Sequence, residues 1–236
     1  MSTYVLIHGA WHGGWCWEKV KPLLEQAGHT VLTPDLPGHG RDGTPPEQVS
    51  LQAYADHVCN VVRDAGEPVI LVGHSMGGVV ISQAAEQCGD RVDTLVYLGA
   101  FLLPNGETLL GMAQTDHDSL VTANLVVAEN GASATVKDEA IKPAFYADCL
   151  DEDVANAKAR LVPQALAPFV TPLSLSGDQK VKTRVFIETT EDRAIPIGLQ
   201  RRMTAAQPDV RVITMGTSHS PFFSAPEELA RHLQQL

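Results

Sequence analysis

The chain has 236 residues, is 44% hydrophobic and 19% charged, and carries a formal net charge of −11. That composition excludes disorder and fibrous repeats, and the length suits one large domain better than two. The acidic balance argues against nucleic acid and anionic membrane surfaces as partners, because both select a basic face.

No apolar run approaches the roughly 18 residues of a membrane span. The start, MSTYVLIHGAWHGG, lacks the basic n-region and small-residue cleavage site of a secretory leader, so a cytoplasmic location is expected. Cys16, Cys59, Cys88 and Cys149 stand singly, with no CxxC pair. They are expected to be reduced, mostly buried thiols.

Along the chain, β-branched runs alternate with helical patterns. Strands are expected at Thr3–His8, His29–Asp35, Pro68–Gly73, Val92–Ala100, Lys182–Thr190 and Asp209–Gly216. VILVG and TLVYLG are nearly continuous apolar runs, as in parallel strands covered on both faces. Helices are expected at Trp17–Ala27, Leu51–Ala65, Met76–Cys88, Pro196–Gln207 and Pro226–Leu236. Gly28 and Gly89 fit C-caps, while Pro196 and Pro226 fit first turns. This alternation predicts a doubly wound α/β sheet, which places ligands at the carboxyl ends of its strands.

One stretch breaks the alternation. Residues 105–180 are too long for a bare loop. They contain the turn pair Asn130-Gly131 inside TANLVVAENGASATV, which predicts a hairpin. Two helical patterns follow, the second over Asp151–Val162 with Val154, Ala157 and Leu161 on one face. The segment is read as a cap inserted into a single core made of residues 1–104 and 181–236.

The strongest chemical signal is Gly73-His74-Ser75-Met76-Gly77, between the strand PVILV and a helix. GxSxG at a strand-to-helix turn is an elbow too tight for larger side chains, and it lifts the serine hydroxyl above the sheet. A serine needs a base to become a nucleophile. In an α/β hydrolase the order is Ser, acid, His, so the base lies downstream. Of the downstream histidines, His117 falls in residues 105–180 and His232 inside the last expected helix, whereas His219 (GTSHSPFF) lies directly after the last strand, at the end where Ser75 is expected.

The acid should follow KTRVFIETT. Glu188 lies within that strand and reads as structural. Of the loop residues Asp192 is favoured, with Glu191 the alternative. Backbone donors for an oxyanion are expected at Met76 and, in the glycine-rich loop HGAWHGG, at Ala10. His12, Phe101, Phe145 and Phe222 are expected to contact substrate.

Two patterns are decoys. Gly38-His39-Gly40-Arg41-Asp42-Gly43 matches a dinucleotide fingerprint but runs into Thr44-Pro45-Pro46 instead of opening a helix. His8 and His12 have the spacing of a zinc pair, but HGAWHGG, with three glycines in seven residues, cannot be helical. Neither a cofactor nor a metal is expected.

HGAWHGGWCW, KPLLEQAGHTVLTPDLPGHG, GHSMGG, FYADC, TEDRAIP and SHSPF together resemble the methylesterase/hydroxynitrile lyase family of α/β hydrolases, from residue 4 to about 223. The resemblance implies an α/β-hydrolase fold, Ser75 as nucleophile, His219 as base, Asp192 as acid, and Ala10 and Met76 as oxyanion donors. The lyases resemble one another in having Thr at position 9 and Lys after the catalytic His. Gly9 and Ser220 here are the esterase pattern. Plant members typically have a pocket-facing Trp in the cap, whereas Trp11, Trp15 and Trp17 all precede it.

The expected activity is that of a serine carboxylesterase acting on a small-molecule ester. The alternatives are cyanohydrin cleavage and a triad-bearing ligand receptor with little turnover. Oligomeric state is left open, with a homodimer among the options.

Overall fold

The apolar runs of the sequence pair side by side. In the computed structural model, which describes residues 1–177, 180–181, 183–207 and 209–236, five early and late strands flank a central one. They are β1 (Thr3–Ile7), β2 (Thr30–Leu32), β3 (Val69–His74), β4 (Val92–Leu98), β8 (Thr183–Thr189) and β9 (Val210–Met215). All pair in parallel, in the order β2-β1-β3-β4-β8-β9. Every residue of β3 is buried, which explains its unbroken apolar run: helices cover both faces. Lys182, the first residue of the expected strand Lys182–Thr190, lies outside the described residues.

The flanking helices are α1 (Val20–Gln26), α2 (Leu51–Asp64), α3 (Gly77–Cys88), α9 (Ile197–Ala205) and α11 (Pro226–Gln234), with the single turn α10 (Pro221–Ser224) before the last. Ser50 caps α2, its side chain accepting from the Ala53 N–H, a contact worth about 1 kcal/mol. Gly28 ends the α1 region at φ +89°, where only glycine is unstrained.

Two elements are shorter than their patterns suggested. The expected strand His29–Asp35 pairs only over Thr30–Leu32, because Asp35 turns away to accept hydrogen bonds from the Gly14 and Arg41 N–H groups. The expected helix Trp17–Ala27 begins at Val20, since Gly14–Trp17 forms a 3₁₀ turn that buries Trp17 completely.

Between β4 and β8 lie α4 (Leu109–Ala113), α5 (Leu120–Ala123), β5 (Leu125–Val127), β6 (Ser133–Val136), α6 (Asp138–Phe145), α7 (Asp151–Lys158), β7 (Gln164–Ala165) and α8 (Ala167–Val170). β5 and β6 form the expected antiparallel hairpin, with Gly131 at φ +70° in its turn. The two-residue strand β7 adds to β6, and nothing in its sequence marks it. This inserted segment is tied to the sheet domain by buried polar contacts. Gln164 Oε1 lies 2.9 Å from His39 Nε2, and its amide donates to the Tyr54 hydroxyl at 3.2 Å.

The expectation of four reduced thiols fails at one pair. Cys59 on α2 and Cys88 at the end of α3 form a disulfide, their Cα atoms 5.6 Å apart. The two helices pack side by side and bring together positions 29 residues apart, a proximity that spacing cannot reveal. Cys16 and Cys149 remain free and buried. Among the described residues, no helix is long and apolar enough to cross a membrane.

Candidate active site

Ser75 sits where β3 becomes α3, at φ +56°. That left-handed conformation is uncommon outside glycine and marks a forced turn. Its neighbours must be small. A Cβ on Gly73 would stand 2.5 Å from the Gly77 carbonyl oxygen, and one on Gly78 would stand 2.4 Å from that of Phe101. The elbow is locked to the next strand as well, since the Ser75 N–H donates to Leu98 O and the Phe101 N–H to Ser75 O.

His219 lies in the loop after β9, only 1% exposed. Its Nδ1 is 2.7 Å from Oδ2 of Asp192, in the loop after β8. The Asp192 carboxylate is held from every side. Oδ1 accepts the Ala194 and Ile195 N–H groups at 2.8 Å each, while Oδ2 also accepts from Thr189 Oγ1 at 2.9 Å and Gln200 Nε2 at 3.3 Å. A carboxylate so engaged has one orientation and points one lone pair at the imidazole. Glu191 is exposed. Glu188 pairs with Arg201 at 2.9 Å and with Thr214, and the guanidinium holds its carboxyl below the usual range.

The histidine loop is braced at its main chain. His74 Nε2 lies 2.8 Å from the His219 carbonyl oxygen and donates to it, and the two rings sit 4.5 Å apart. Burial, with the nearby His219, His12 and His8, pushes His74 well below its ordinary pKa, so it stays neutral. Asp148, from the inserted segment, accepts from the Ser218 N–H at 2.8 Å and from the Ser218 hydroxyl. Ser220 is fully buried, and its Oγ has no hydrogen-bond partner among the described residues.

The loop after β1 has each carbonyl from Gly9 to Trp11 occupied. His8 Nδ1–H donates to Gly9 O at 2.8 Å, and His8 Nε2 accepts the Leu36 N–H at 3.0 Å, which fixes the tautomer. His12 Nδ1–H donates to Ala10 O at 2.7 Å, and the Tyr146 hydroxyl donates to His12 Nε2 at 2.6 Å. Burial pushes His12 down to about 3. The Val162 N–H donates to Trp11 O at 3.0 Å. The N–H groups of Ala10 and Met76, by contrast, donate to no described residue, and both residues border the same cavity as Ser75. Gly9 is pressed against the elbow: a Cβ there would lie 2.8 Å from the Ser75 Cβ.

That cavity, of about 50 Å³, is walled by Ala10, Trp11, Met76, Phe101, Phe145 and Phe169 among others, and no charged side chain lines it. The structure therefore brings together Ser75, Ala10, Met76, Phe101 and Phe145, and joins His219 to Asp192. It sets His12 and Phe222 elsewhere. Both are buried behind the site, packed on each other and on His74. Trp11 and Phe169 are among the wall residues that sequence reasoning missed, and Trp11 is the better connected. It stands at φ +63°, its indole N–H donates to Ala134 O of β6 at 2.8 Å, and its ring meets Phe145 and Phe169. Nothing local signals a contact that spans 123 residues.

Residues 4–232 match the alpha/beta hydrolase family. A carbendazim hydrolyzing esterase of a Nocardioides species is 33% identical, covering all of both chains. An Arabidopsis thaliana protein named as a chloroplastic methylesterase is also 33% identical over this whole chain, which spans 64% of that longer relative. The crystal structure of a pyrethroid hydrolase from Sphingobium faniae superposes with a TM-score of 0.89 at 30% identity, over 99% of this chain and 96% of that one.

Proposed function

The chain belongs to the alpha/beta hydrolase family and is a carboxylic ester hydrolase, and from that premise we propose that it works as a serine esterase through Ser75, His219 and Asp192. Ser75 Oγ attacks the ester carbonyl carbon while its proton passes to His219 Nε2. Asp192 accepts the Nδ1–H and stabilises the imidazolium that forms. The carbonyl oxygen becomes an oxyanion held by the N–H groups of Ala10 and Met76, two unengaged donors on residues that border the Ser75 cavity. His219 returns the proton to the departing alcohol, leaving an acyl group on Ser75 Oγ. It then takes a proton from water as that water attacks the acyl carbon, and returns it to Ser75 Oγ as the bond between that oxygen and the acyl carbon breaks and the acid leaves.

The observation that carries this reading is the 2.7 Å contact between His219 and Asp192, with the His219 ring 4.5 Å from that of His74, the residue before a serine held at φ +56°. Residues 105–180 act as the cap. The uncharged cavity suits a small carboxylic ester with no ionised group on the part that enters. Cyanohydrin cleavage is the weaker reading, because position 220 holds a buried serine and position 9 has no room for a threonine. Hydrolysis of a p-nitrophenyl ester panel by wild type and by Ser75→Ala tests the reading. Turnover by the wild type alone supports it, and an equally active variant overturns it.

A further inference from the structure

Among the described residues, the two non-glycine residues with positive φ, Ser75 and Trp11, both border the cavity. The serine's strain belongs to the elbow. Trp11 has no such local reason, and a bulky aromatic in the left-handed region persists only where its surroundings over-determine it. Those surroundings are all in the inserted segment. The carbonyl of Trp11 accepts from the Val162 N–H, its indole N–H donates to Ala134 O, and its ring is clasped between Phe145 and Phe169. On the other side, the carbonyls of Gly9 and Ala10 are held by His8 and His12 from the sheet domain. Ala10 thus lies between an anchor in the core and an anchor in the cap. Its N–H shares a peptide plane with the Gly9 carbonyl, so a rotation at Trp11 is felt one residue away.

We propose that Trp11 is a positioning residue that couples docking of the inserted segment to the orientation of the Ala10 N–H. This rests on the reading of Ala10 as an oxyanion donor and adds a cause for its placement. The hydrogen bonds from Trp11 hold the donor where charge develops in the transition state, and they do not add ground-state affinity. The effect therefore belongs in kcat and not in KM.

Two variants isolate the coupling. Trp11→Phe keeps an aromatic wall and deletes the indole donor. Val162→Pro deletes the N–H that reaches Trp11 O and leaves every cavity-lining side chain in place. Each is compared with wild type for kcat, KM and inhibition by an aryl trifluoromethyl ketone, which forms a tetrahedral adduct with an active serine. Losing one such hydrogen bond is expected to lower kcat about five- to tenfold. The ketone should weaken by the same factor, with KM changed less than about twofold. Should Trp11→Phe not fold, Val162→Pro carries the test alone. A wild type inhibited by the ketone, with variants inhibited equally well, overturns the role of Trp11 and leaves the esterase reading standing. A wild type that the ketone does not inhibit overturns the esterase reading itself, and this proposal with it.

Discussion

Asp192 Oδ2 lies 2.7 Å from His219 Nδ1 across 27 residues of chain, and the rest of that carboxylate is engaged by four further donors. An imidazole in this position is fixed in both tautomer and direction. Asp192→Asn should lower kcat on the order of 10⁴-fold, because an amide N–H facing Nδ1 favours the wrong tautomer. Glu191→Gln, at an exposed position, should cost less than about tenfold. Steady-state kinetics on a p-nitrophenyl ester check both, and the reverse ranking would move the acid to Glu191.

Position 9 makes a steric prediction. A Cβ there would meet the Ser75 Cβ at 2.8 Å and the His74 Nδ1 at 3.0 Å. Both neighbours belong to the locked elbow, so neither can give way cheaply. Gly9→Ala should lower esterase activity at least tenfold, with a stability cost of about 1–3 kcal/mol from overpacking. Urea unfolding and kcat measure the two effects, and a fully active, equally stable variant would show that the elbow yields. Adding Ser220→Lys to Gly9→Thr is expected to lose esterase activity. Wild type should release no cyanide from mandelonitrile above the uncatalysed rate, as an electrode assay can establish.

Much of this site was legible in the sequence. GHSMGG marked the elbow because backbone sterics demand glycine at 73 and 77. Chain order and the place after the last strand point to His219, while the loop after the preceding strand offers both Asp192 and Glu191, with Asp192 favoured. What escaped depends on contacts between distant segments. Trp11 reads as part of a glycine-rich loop and becomes a cavity wall through Ala134, Phe145 and Phe169. His12 and Phe222, expected to contact substrate, do not line the Ser75 cavity and pack on each other and on His74. Their aromatic character signals burial and gives no direction. The Cys59–Cys88 bridge likewise depends on how α2 packs against α3.

Acid should unfold the protein steeply. His12 is held at about 3, and His8, His39 and His74 are also lowered, chiefly by burial. Unfolded histidine titrates near 6.5, so below that pH the unfolded chain binds protons that the native state refuses. For His12 stability is then lost as pH falls from about 6.5 toward 3, by about 1.4 kcal/mol per pH unit, and the other three add losses of the same sign below about 6.5. Urea unfolding at pH 7, 6 and 5 should show this slope. His12→Gln should make it shallower by one proton, and parallel curves for the two proteins would contradict the assignment.

The disulfide closes a loop of 29 residues and should contribute about 3 kcal/mol. Thiol titration in denaturant without reductant should find the two free cysteines, Cys16 and Cys149. A count of four would mean that the pair is reduced.

The central claim is that an acyl group rests on Ser75. Mixing the enzyme with p-nitrophenyl trimethylacetate, whose hindered acyl group leaves slowly, and quenching in acid should trap that species for intact-mass and peptide analysis. The account predicts a mass increase of one trimethylacetyl group, located on the peptide that contains Ser75 and missing from Ser75→Ala. Steady p-nitrophenol release with no adduct at any time, or an adduct carried by another residue, would contradict it.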